Sequence, residues 1–217
     1  MTPAFPAWTF AVFAALSVLT LGYSIYSYRW QALRENRTAQ HLFYGSVVVL
    51  VMLWMSKAGI LPGLEFHVLG LTAATLMMGW RLALLAAALM QLGLLLLGAT
   101  HWTDFGYHLL IQNALPIAFT WQFYSLVYKR LPHNPFVYIL VAGFLNAGFT
   151  HAFLDVLQSL AYLASGDYTL AKVWHDYLRY LPLMMFPEGV VNGMFIAGMV
   201  AFHTEWLSTF NEDSYFK

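Results

Sequence analysis

The chain has no cysteine and little charge: Asp, Glu, Lys and Arg together make up 9% of its 217 residues. Without thiols, thiolate metal sites are excluded, and cysteine usage gives no clue to the redox compartment. A soluble domain usually carries about 25% charged residues. A chain this poor in charge cannot cover a water-facing surface with polar groups, a constraint that vanishes in lipid. The formal net charge is zero, so no broad basic face speaks for nucleic acid. No Gly-x-x-x-x-Gly-Lys-Ser/Thr loop occurs, which leaves the chain without that means of hydrolysing ATP. Linkers, repeats and low-complexity stretches are also lacking, so residues 1–217 read as a single transmembrane domain. The opening MTPAFPAWTF has no positive charge ahead of the first apolar run. That run reads as a retained helix rather than a signal peptide.

What is present is apolar, with 60% hydrophobic and 18% aromatic residues, a composition that suits two interfacial belts. A membrane span needs about 20 mostly apolar residues. The runs predict an all-α, polytopic membrane helix bundle of about seven transmembrane helices, over 7–28, 41–58, 67–80, 82–99, 106–128, 135–164 and 181–203. The third and fourth share one apolar run, with a corner at Gly79-Trp80-Arg81. The third is short and preceded by re-entrant chain around Leu61-Pro62-Gly63. Pro116, Pro182 and Pro187 kink or start helices. Seven spans place Arg29, Arg34, Arg37, Arg81, Lys129, Arg130 and Lys217 on one side, against Lys57, Lys172 and Arg179 on the other. This positive-inside bias puts the N-terminus outside and the C-terminus inside. The tail after His203, with Glu205, Glu212 and Asp213, reads as solvated; contact with partner proteins is the other reading.

Polar residues at membrane depth are costly and are normally turned inward, paired and functional. Asp155 and Glu188 lie inside helices six and seven, and His151 sits one turn before Asp155 on the same face. Asn146 and Asn192 lie deeper on those helices. His108, Gln112 and Asn113 lie near the outer end of helix five, and His67 opens helix three just after Glu65. Imidazole with carboxylate and amide oxygen suits a divalent transition metal. Bland readings stand beside this one. His151 and Asp155 can simply pair, and Glu188, after Pro187, can cap backbone freed at a helix start. His101, Asp104, His175 and Asp176 fall in outer loops, where solvation is the ordinary state. His41, His133 and His203 fall at the inner interface, and the methionines pack. The Ala/Gly-rich faces of helices three, four and seven suit close helix packing or a partner.

The stretch Gly63-Leu-Glu-Phe-His67-Val-Leu-Gly70-Leu-Thr-Ala-Ala resembles a signature of the cobalt/nickel substrate-binding permeases of energy-coupling-factor importers, the CbiM/NikM family. The Gly79-Trp80-Arg81 corner, the following helix ending in Leu-Leu-Leu-Gly98, the His108 to Asn113 segment, and Leu181-Pro182 through Glu188-Gly189 resemble later features of that family in the same order. The likeness covers nearly the whole chain and is nearer to a divergent branch. It implies a metal-binding subunit of a bacterial or archaeal inner membrane importer, with a transmembrane coupling subunit and ATPase subunits as partners. It also implies His67 as a ligand, with Asn113 and Glu188 as motif positions. The family places a His after the initiator Met, whose ring and amide help hold the metal. Here that position is Thr2, and no His precedes His41. Glu65, His108, His151 and Asp155 are the candidate replacements. The family's ions are cobalt and nickel; a mixed nitrogen and oxygen set also suits zinc, iron or manganese.

The function expected is therefore a permease subunit that binds a divalent transition-metal ion at the outer face and imports it. Two alternatives belong to other classes. One is an intramembrane metalloenzyme built on His151, Asp155, Glu188 and His67, as helix bundles can hold iron. The other is a non-catalytic assembly subunit that has lost metal binding.

Overall fold

A computed structural model describes residues 2–216, so Lys217, counted above among the inner charges, lies outside the described residues. The apolar runs become helices: α1 (Ala7–Ser27), α2 (Arg37–Met55), α3 (Leu71–Leu96), α4 (the unbroken run Phe105–Tyr107, His108–Ala114 and Leu115–Arg130), α5 (Pro135–Ala164) and α6 (Leu181–Phe202). Among the described residues, five helical stretches are long and apolar enough to cross a membrane. The chain is an all-α helical membrane bundle. The only described strands are β1 (Ala58–Leu61) and β2 (Leu64–Phe66), an antiparallel pair.

That hairpin replaces the re-entrant chain expected at Leu61-Pro62-Gly63. Leu61 pairs with Leu64. Proline's fixed φ and glycine's access to positive φ (84° at Gly63) close a two-residue turn. The third helix also begins later than position 67: residues 67–70 are non-helical, and Gly70 (φ 67°) leads into Leu71.

The expected corner is present inside α3. Gly79 has φ 76° and ψ 159°, a backbone open to glycine and strained for other residues. The chain reverses there. Gly70 packs on Leu50 and Leu53, and Gly93 packs on Val51, at one level of α2. A straight helix would separate positions 70 and 93 by about 34 Å. Residues 71–78 therefore run into the bundle and 80–96 return. At the reversal, Arg81 donates from Nε to Ser27 Oγ (2.8 Å), while Ser24 donates to the Arg81 carbonyl (2.9 Å), tying the corner to the end of α1.

Burial separates the helices. In α3, 56% of the most apolar window is buried; in α1, 11% is. So α3 forms the centre and α1 stands at the lipid-facing edge. Gly189 and Gly193 of α6 let that helix approach Phe144 of α5, where an added Cβ would come within 3.0 Å.

The tail after His203 is not the solvated segment expected. Leu207, Phe210 and Tyr215 are buried in a cluster with Leu76, Tyr124, Tyr138 and Ile196. The acidic residues mask an apolar spacing that docks the segment on the bundle. Ser208 N–H donates to the Met77 carbonyl (2.9 Å) and Thr209 Oγ1 to the Leu76 carbonyl (2.6 Å), two acceptors freed by the break at Gly79. The Tyr124 hydroxyl donates to the Thr209 carbonyl (2.7 Å), and the Tyr138 hydroxyl lies 2.6 Å from Thr209 Oγ1.

Candidate functional site

The late start of α3 creates the site. The backbone just ahead of its first turn needs acceptors, and α6 supplies them. Glu188 Oε2 accepts from Leu69 N–H (2.7 Å) and Oε1 from Gly70 N–H (3.1 Å). One turn on, Asn192 Oδ1 accepts from Ala73 N–H (2.9 Å), and Asn192 Nδ2 donates back to Glu188 Oε1 (2.8 Å). A carboxylate facing a helix N-terminus is favoured by the helix dipole. Glu188 thus caps backbone, as one reading held, but at a helix far away in sequence rather than its own. Pro187 lies inside α6 and does not start it.

His151 and Asp155 share a face of α5, as their spacing requires. His151 Nε2 lies 3.4 Å from Asp155 Oδ2, and Nδ1 lies 3.7 Å from Glu188 Oε2. The ring stands between the two acids, one nitrogen toward each, and neither contact has hydrogen-bond geometry. All three residues are buried. Asp155 Oδ1 accepts from the Tyr177 hydroxyl (2.7 Å), while Oδ2 has no hydrogen-bond partner. Neither ring nitrogen of His67 has one either. Its ring meets Trp54 edge-on, with centroids 4.5 Å apart, and Trp54 is held by donating to the Leu69 carbonyl (3.1 Å).

His67, His151 and Glu188 line a cavity of about 590 Å³, with Phe66, Val68, Tyr180, Leu183, Met184 and Pro187 among its walls. The structure thus brings together His67, His151, Asp155 and Glu188. It sets the other candidates elsewhere. Glu65 lies 3.8 Å from Lys57 on the hairpin. With Thr2, His101, Asp104 and His108, those two residues line a second cavity of about 520 Å³. His108 Nδ1 is 2.7 Å from Gln112 Oε1. Asn113 donates to the His108 carbonyl (2.8 Å) within the wide π-helical turns of 108–114. Among the described residues, no three His, Asp or Glu side chains converge as a metal cage. The reason is visible at His151, whose two nitrogens face opposite acids.

Tyr177 and the Leu69 and Gly70 amides were not foreseen. A lone tyrosine in a loop of a chain with 13 tyrosines carries no pattern. Backbone donors have no sequence signal at all. The non-helical 67–70 segment, which frees them, is hinted at by Gly70.

A family model described as the cobalt uptake substrate-specific transmembrane region, CbiM, matches residues 2–206. The chain belongs to the CbiM family. It is accordingly a multi-pass membrane component of cobalt-uptake type, in a family of energy-coupling-factor transporters that work with partner subunits. Neither a search of curated proteins nor one of solved structures returned a match. In this CbiM-family chain the match takes in every residue of both cavities.

Proposed function

We propose that the chain receives a divalent transition-metal ion at its outer face and passes it inward, driven by a coupling subunit and ATPase partners. The cargo is cobalt or nickel by family, with zinc, iron and manganese compatible with the donor types. The observation that carries this reading is the pair of imidazoles, half-buried His67 and buried His151, whose enclosed ring nitrogens lack hydrogen-bond partners beside two buried carboxylates. A native interior satisfies its polar groups. Groups left open in one cluster are placed for something that arrives.

The topology belongs to the same proposal: seven passes, counting the two arms of α3 separately, in a bacterial or archaeal inner membrane, N-terminus outside. The Arg81–Ser27 bond supports it by setting the α3 corner beside Arg29, at one end of the bundle. Glu65 and His108, in the neighbouring cavity, would meet the ion on its way in, and Asn113 holds their wall. Asn146 and Asn192 are the amides on the inward route.

The test is to purify the protein in detergent without added metal and measure bound metals by mass spectrometry, for wild type and His67→Ala. The expected result is a near-stoichiometric ion that the variant loses. No metal in either, even after soaking with nickel, cobalt, zinc and iron, overturns the reading and leaves an assembly role.

A further inference from the structure

The cavity at His67 is too large, and its walls too apolar, for the ion alone. An ion with six waters needs on the order of 180 Å³, taking about 30 Å³ per water. The cavity offers about 590 Å³, within the range of sites for small organic ligands. Its polar lining is His67, His151 and Glu188, with Asp176 and Tyr180 besides. Most of the remaining wall is apolar, with Phe66, Val68, Leu183, Met184 and Pro187, whose side chains give no hydrogen bonds to ordered water. The protein brings two imidazoles, and no third ligand converges with them among the described residues. Transition metals of this class take four to six ligands. The remaining ligands must come with the ion, and the apolar walls favour carbon over water as their carrier.

We infer that the chain takes its metal as a complex with a small, partly apolar organic chelator. His67 and His151 replace two waters on the metal, and the chelator fills the space against Phe66, Leu183 and Met184. Asp155 and Glu188 balance the charge of the cationic complex. Leu183 is exposed at 63%, so the cavity opens at the surface and admits the organic part without parting the helices. The inference rests on the proposed metal uptake and specifies its substrate.

The test is calorimetric titration of the purified protein with three probes: Co2+ alone, the 1:1 Co2+–2,2′-bipyridine complex, and metal-free bipyridine. The complex should bind at least tenfold more tightly than the bare ion, and metal-free bipyridine at least tenfold more weakly than the complex. Leu183→Trp, which fills the cavity from an exposed position, should lose the preference for the complex and keep the affinity for Co2+ alone. Equal or tighter binding of Co2+ alone overturns the inference and leaves the uptake reading standing. If neither metal species binds, both readings fall. Binding of bipyridine as tight as that of its complex shows an organic or lipid-chain pocket and overturns the inference, as does a Leu183→Trp protein that still prefers the complex.

Discussion

Two of the polar clusters in this bundle are built around the ends of the descending arm of α3, and they are finished differently. At the Gly79 end the hydroxyls of Thr209, Tyr124 and Tyr138 are all engaged, with each other's neighbours or with the carbonyls left by the break at Gly79. At the Gly70 end Glu188 is fully engaged, yet His67, His151 and one oxygen of Asp155 have no hydrogen bonds. The same problem, a helix end inside a membrane, is closed completely in one place and left partly open in the other. Completeness fits a purely structural role; the open part fits the ligand site proposed above.

Substitutions can break this contrast. The largest effect on stability belongs to Glu188→Ala, which strips acceptors from Leu69, Gly70 and Asn192 at once. Denaturant unfolding in detergent should show a loss of about 3–5 kcal/mol, the range for removing one partner from a buried charged network. Next is Gly79→Ala. An added Cβ meets only Ser208 Oγ at 3.8 Å, so the cost is the backbone conformation itself, about 1–3 kcal/mol in the same assay. Thr209→Val removes the hydroxyl between Tyr138 and the Leu76 carbonyl, with an expected loss of about 1–2 kcal/mol and unchanged metal content by mass spectrometry. The smallest loss is expected of His67→Gln, under about 1 kcal/mol for the metal-free protein, because the ring nitrogens have no bonds to lose. Its metal-induced rise in melting temperature should disappear. A large loss of apo stability at His67 would erase the distinction between the two clusters.

How much of this was legible depended on whether the cause was local. Gly79 is a glycine inside an overlong apolar run, and the run's length alone demands a reversal. The His151 and Asp155 pairing follows from helical spacing. Glu188 was visible as an acid at membrane depth, but its partners are backbone amides 119 and 118 residues away, which no local pattern encodes. Pro62-Gly63 carried a turn signal, and the short strands around it were hidden by the assumption that apolar chain near a span stays in the membrane. The tail was misread because Glu205, Glu212 and Asp213 dominate its composition, while Leu207, Phe210 and Tyr215, which hold it, are few and irregularly spaced. Separating Glu65 and His108 from His67 required the position of Trp54, which packs on the His67 ring and also lines their cavity.

The bonds from Ser208 and Thr209 to Met77 and Leu76 have a consequence for biogenesis. Both residues are translated after every helix they secure. While the ribosome is still making α4, α5 and α6, the carbonyls at the α3 reversal lack their eventual donors in a medium that offers few others. The corner of the central hairpin is therefore sealed last, and the Glu188 cluster, framed by that same arm, acquires its final shape only when synthesis has moved past the last membrane helix.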